Sequence, residues 1–146
     1  MKAIQVKQYG GPEVLEYVDV PIPQPKANEA VVKIAAAGVN FIDVYNREGR
    51  YKVPLPFILG QEAAGTITAL GAEVKQLAQG DHVAYCSVLG SYAEYAAVPA
   101  KMLVPIPAGV DFPTAAATML QGRRLRPATD RPKAMPASPI PASTRP

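Results

Sequence analysis

Two short stretches concentrate the side chains that could do chemistry. Gly60-Gln61-Glu62-Ala63-Ala64-Gly65 sets one amide and one carboxylate among small residues, with further glycines at 71 and 80. Glycines so placed suit positive φ or close backbone approach, and the stretch reads as a corner beside a site. Glu62 could be a carboxylate facing a substrate or cofactor there, or a buried acceptor tying adjacent backbone amides. The second stretch is Gly38-Val39-Asn40-Phe41-Ile42-Asp43-Val44-Tyr45, followed by Tyr51. Its amide, carboxylate and phenols could face a ligand. Equally, Asn40 could cap a helix, Asp43 complement the helix dipole, and the tyrosines fill half-buried core. His82, the single histidine, has the chemistry of a general base, but no second histidine or cysteine lies at ligand spacing. It is expected as an exposed residue at a strand start. Nothing near Cys86 in sequence would activate its thiol, which is expected to be inert.

The elements that must position these residues can be read from periodicity. Alternation predicts strands over residues 3–6 and 15–20, paired across Gly10-Gly11-Pro12. Pro21, Pro23 and Pro25 remove ladder donors and mark a stiff connector. Residues 29–38 are nearly all apolar, which predicts a strand buried on both faces. Asn40 then opens a short helix over 41–48, stopped by Gly49. Residues 53–58 read as an extended loop, 66–70 as a strand, and 82–85 as a strand after the Gly80-Asp81 turn. Residues 89–98 alternate over several positions, which sets Tyr92 and Tyr95 on opposite faces. A short strand over 101–105 precedes a helix from Phe112, which Gln121-Gly122 can close.

The chain as a whole bounds the answer. At 146 residues it is long enough for one domain with its own core. Residues 1–122 hold 9 Lys/Arg against 11 Asp/Glu, whereas 123–146 hold 6 against 1, so the basic balance belongs to the last segment. A nucleic-acid footprint is not implied. One cysteine excludes an intramolecular disulfide. No apolar run has transmembrane length and the start has no leader-like apolar region, so no membrane partner and a cytoplasmic location are expected.

Residues 60–74 resemble the signature of the medium-chain dehydrogenase/reductase superfamily, Gly-His-Glu-x-x-Gly followed by Gly and a small apolar position. Gly60, Glu62, Gly65, Gly71 and Val74 match it, while the zinc-ligating histidine is replaced by Gln61. Residues 38–45 resemble the matching corner, with Asn40 where zinc-dependent relatives carry cysteine and with Asp43 retained. An amide is a poor zinc ligand beside imidazole or thiolate, so no metal is expected. The resemblance is to the zinc-independent NADPH:quinone oxidoreductases, relatives of zeta-crystallin. Residues 90–95 are similar to that family's Gly-x-Tyr/Phe-Ala-Glu-Tyr strand. Gln121-Gly122 is similar to the start of its Gln-Gly-x-Thr, with Arg124 at the threonine position.

This resemblance implies a mainly β domain over residues 1–122, a GroES-like, partly open small barrel with short helices. It assigns Asn40, Asp43 and Tyr45 to catalysis and Asn40, Tyr45, Tyr51 and Gln61 to the nicotinamide end of NADPH. Glu62, with no zinc to balance its charge, is expected as the buried acceptor. A quinone or other small carbonyl compound is the implied substrate, and the parent enzyme is expected to be a homodimer. No two glycines are separated by one residue, so the Gly-x-Gly-x-x-Gly phosphate anchor of a Rossmann domain is not encoded. The chain is therefore expected to be a truncated, weakly active or inactive part of such an enzyme. The alternative is a non-catalytic GroES-like binding or assembly module. Residues 123–146, with 6 prolines and no aromatic, are expected to be a disordered basic tail that is non-native or frame-shifted.

Overall fold

A computed structural model describes residues 1–122; the expected tail over 123–146 lies outside the described residues. Two antiparallel sheets make the body. The smaller has the order β2-β1-β4, from β1 (Lys2–Val6), β2 (Leu15–Asp19) and β4 (Phe57–Ile58). The larger has the order β7-β3-β5-β6-β8, from β3 (Glu29–Ala37), β5 (Glu62–Leu70), β6 (His82–Cys86), β7 (Tyr95–Pro99) and β8 (Val104–Pro105). The sheets join around one bridge, Ala3 to Ala93, and the Ile4 N–H donates to the Tyr92 carbonyl at 2.8 Å. They do not close into a full barrel. Helix α1 (Phe41–Arg47) follows β3, and α2 (Phe112–Gly122) packs on the larger sheet.

The larger sheet holds the main core, where Val32, Ile67, Val83, Tyr85 and Val98 are buried together. Val6, Val14, Phe57 and Leu59 form a second core under the smaller sheet. A third contact sets Ala115 and Ala116 of α2 against Ala64 and Ala84 of the sheet. With alanines on both sides, the helix can approach the strands closely.

Five elements differ from their sequence expectation, among them β7, which begins only at Tyr95 because the chain bends through residues 92–94. Strand β5 begins at Glu62, four residues before the expected start, because Ala63, Ala64 and Gly65 pair on both edges and carry no alternation to read. The stretch expected as an extended loop contributes β4, which pairs Val6 with Phe57 and Gln5 with Ile58. The expected strand over 101–105 is a single 3-10 turn, Ala100–Met102, and then the two residues of β8. Strand β3 is buried on both faces only over Ala30–Val32. Beyond Lys33 it alternates, since Ala36 packs under α2 while Ala35 and Ala37 face away and are exposed.

That second half of β3 positions the site. The register against β5 shifts between Ile34 and Ala36, a bulge that re-aims the strand end just before Gly38 and Asn40. The opposing corner turns at Gly60, whose φ is +86° and whose missing side chain leaves room for Ser91 and Tyr92. At Gly65 a Cβ would meet the Lys33 carbonyl, so only glycine lets β3 and β5 run this close. No helix among the described residues is long and apolar enough to cross a membrane.

Candidate functional site

The two sequence stretches meet in space. Asn40 sits at the start of α1 in extended backbone, φ −133° and ψ 151°, and its N–H donates to Asp43 Oδ2 at 2.9 Å. The Asp43 carboxylate thus closes the first turn of the helix from within. Its position is deep: Asp43 is 3% exposed, and Oδ2 also accepts from the Tyr92 hydroxyl at 2.8 Å. Burial raises the Tyr92 hydroxyl pKa above its ordinary value, and the bond to Asp43 adds to the rise, so Tyr92 stays a neutral donor. Asp43 Oδ1 and, three residues on, Asn46 Nδ2 are buried without a hydrogen-bond partner.

Glu62 stands on the other side of Asn40. It is 4% exposed, and its Oε2 accepts from Asn40 Nδ2 at 2.9 Å while Oε1 accepts from the Leu120 N–H of α2 at 2.6 Å. The buried-acceptor reading of Glu62 agrees with these bonds, with one difference. Its backbone partner is not adjacent in sequence but comes from α2.

A cavity of about 570 Å3 opens between these elements. Asn40, Tyr45, Tyr51 and Gln61 line it together, with Val39, Phe41 and Ile42 of the same corner, Ser87, and Leu120 and Gln121 of α2. Of the residues assigned to catalysis or cofactor binding from the family resemblance, Asp43 alone does not line it; it lies beneath the corner. The rings of Phe41, Tyr45 and Tyr51 form a chain of contacts, with centroids 6.4 Å apart for the first pair and 6.0 Å, edge to face, for the second. Arg50 stands over the Tyr45 ring at 5.1 Å and pairs with Glu48; it is not among the described residues that line the cavity. The wall is therefore aromatic and aliphatic with a few amides and a hydroxyl, suited to a flat, uncharged ring with hydrogen-bonding edges.

Ser87 and Leu120 were not legible as site residues. Ser87 has a φ of +66°, a left-handed conformation that a non-glycine residue adopts at a cost, here at the wall of a cavity. No sequence signal marks it. Leu120 could have been suspected only from knowing that α2 returns to Glu62. His82 is exposed at the start of β6, as expected, with its ring 4.8 Å from that of Phe112. Cys86 is buried at the end of the same strand.

Comparison with known proteins follows the same outline. The alcohol dehydrogenase GroES-like domain matches residues 26–108. A quinone oxidoreductase of Pseudomonas aeruginosa is 48% identical over 123 residues, 83% of this chain and 38% of that protein. Quinone oxidoreductase 1 of Escherichia coli is 42% identical over 121 residues, 82% of this chain and 37% of that protein. Among solved structures, a mycobacterial quinone oxidoreductase superposes with a TM-score of 0.81 at 43% identity, covering 84% of this chain and 38% of that one. The Escherichia coli quinone oxidoreductase complexed with NADPH gives 0.81 at 41% identity, with the same coverage. This chain thus spans little more than a third of the length of the curated relatives it matches.

Proposed function

This chain belongs to the alcohol dehydrogenase GroES-like domain family, and from that membership we propose that it supplies one wall of the active site of an NADPH-dependent quinone oxidoreductase. The observation that carries the reading is the convergence of Asn40, Tyr45, Tyr51 and Gln61 on one cavity of about 570 Å3. In this reading residues 1–122 are the domain that contributes the wall, and the proposed substrate is a quinone or another small, flat carbonyl compound. A homodimer is the proposed state of the whole enzyme.

The residues present fit one end of the cofactor. The Asn40 and Gln61 amides could hydrogen-bond a nicotinamide carboxamide, and the Tyr45 and Tyr51 rings could flank its ring. No cation is among the described residues that line the cavity, so none of these would hold the phosphates. When bound, NADPH would supply the hydride for the quinone. This chain's own part is to orient the two rings, exclude water and offer hydrogen-bond donors to the carbonyl oxygens. Asp43 does not reach the cavity, and its proposed role is to hold the corner that presents Asn40.

Titration of menadione into the chain, followed by quenching of tyrosine fluorescence, tests this reading. The expected result is saturable binding that Tyr45→Ala and Gln61→Ala each weaken. Saturable binding unchanged in both variants would place the ligand elsewhere and overturn the proposal. NADPH added to the folded chain is expected not to saturate up to millimolar concentration, because the phosphate contacts are not in this wall.

A further inference from the structure

Glu62 is a buried carboxylate that takes no part in the proposed transfer, yet it touches both elements that line the cavity. One oxygen accepts from the Asn40 side chain at 2.9 Å and the other from the Leu120 N–H at 2.6 Å. Asn40 belongs to the β3–α1 corner and Leu120 to α2, and both line the cavity. The surroundings hold the carboxylate where it is. The Glu62 N–H meets Ser91 Oγ at 3.3 Å, and its carbonyl accepts from the Gly38 N–H at 2.9 Å. A Cβ on Gly38 would overlap the carboxylate, so the glycine keeps its seat open. Among the described residues no Lys, Arg or His forms an ion pair with Glu62. Among the described residues its burial is offset by hydrogen bonds, and those to the carboxylate come from the two walls.

We infer that Glu62 is a positioning residue for the cavity, a two-armed brace that fixes the Asn40 corner against α2. Both Glu62 oxygens act as acceptors, so the Asn40 amide turns its nitrogen toward Glu62. The same group therefore sets both the width of the cavity and the orientation of the amide that faces it. The inference rests on the reading of this cavity as the ligand site, but the brace can be tested without a ligand.

The test is hydrogen exchange at the Leu120 amide, measured by NMR on the 15N-labelled full chain. Asn40→Ala removes one arm and leaves Glu62 and Leu120 intact. If the carboxylate couples the walls, Leu120 exchange is expected to accelerate about tenfold while Ile67 in the core strand does not change. An unchanged Leu120 rate in Asn40→Ala would overturn the brace. Glu62→Gln keeps an acceptor for the Leu120 N–H, and its amide nitrogen can donate to Asn40 once that amide turns its oxygen inward, so it is expected to leave the Leu120 rate near the original. Adding Asn40→Asp fixes that reversed polarity, with an acceptor facing the new amide nitrogen, and is expected to keep the Leu120 rate as well; acceleration of Leu120 in the double variant would count against the brace. If Glu62→Gln alone does not fold, the double variant and Asn40→Ala still decide the matter. Menadione titration separates the two readings. Coupling without menadione binding by the unmodified chain would overturn the quinone reading alone, and binding without coupling would overturn the brace alone.

Discussion

The core of the larger sheet and the Asn40 corner are built by opposite rules. In the core, Val32, Ile67, Val83 and Val98 bury their side chains against one another, as the removal of apolar area from water favours. At the corner the arrangement is inverted. Val39 is 85% and Phe41 79% exposed, while the carboxylates of Asp43 and Glu62, which bond the Asn40 N–H and side chain between them, are buried. Leaving apolar area in water and taking carboxylates out of it both cost stability. Such a cost is tolerated where the surface exists to be covered or occupied. The comparison therefore separates residues that hold the fold from residues held by it.

The largest effect expected is in the core. Ile67→Ala should destabilise the chain by about 2–5 kcal/mol, through lost transfer free energy and the cavity left behind. Urea unfolding followed by circular dichroism measures it, and the menadione affinity of the folded fraction should not change. A large change in affinity at equal folding would mean that core and corner are not separate. Asp43→Ala comes next. It leaves the Tyr92 hydroxyl and the Asn40 N–H without their acceptor, a cost of about 1–3 kcal/mol. Unlike the core variant, it should also weaken menadione binding, because Asn40 loses its support.

A smaller effect is expected at alkaline pH. Burial raises the Tyr85 hydroxyl pKa, and burial followed by the Asp43 bond raises that of Tyr92. Both pKa values lie above the unfolded value of about 10. The stability these neutral hydroxyls contribute is complete below that pH and is lost as pH rises through the folded values. Absorbance titration of the seven tyrosines should show a late phase that coincides with unfolding. Tyr92→Phe should remove the corner's share of it and leave that of Tyr85. A late phase unchanged in Tyr92→Phe would show that the corner tyrosine titrates freely.

The two regions also differ in how far the sequence discloses them. Alternation and the Gly10-Gly11 turn marked β1 and β2, and the Gly80-Asp81 turn marked the start of β6, whose residues 83–86 are buried on both faces. These signals failed at Ala63, Ala64 and Gly65, where small side chains buried on every side have no period to show. At the corner, Asn40, Tyr45, Tyr51 and Gln61 were legible through a family pattern, and the structure brings them to one cavity. Asp43 carried the same pattern yet lies beneath it, since the depth of a first-turn carboxylate depends on Tyr92, 49 residues on. The contact of Glu62 with Leu120 and the left-handed Ser87 are products of tertiary approach. No local spacing encodes them.

The smallest change in stability is expected where the comparison is sharpest. Val39 and Phe41 rank among the most exposed large apolar residues described, and they flank Asn40 at the mouth of the cavity. Val39→Ser with Phe41→Ser removes apolar surface that folding never buried. Urea unfolding should therefore move by no more than about 0.5 kcal/mol. Solubility and association should respond instead: the unmodified chain is expected to self-associate at high concentration through this patch, and the double variant to remain monodisperse by light scattering. Menadione binding should weaken as well, because the two side chains form part of the wall. A double variant that unfolds as easily as Ile67→Ala would show that the corner is core after all. One that changes neither association nor binding would show that the exposed pair has no part in what the surface meets.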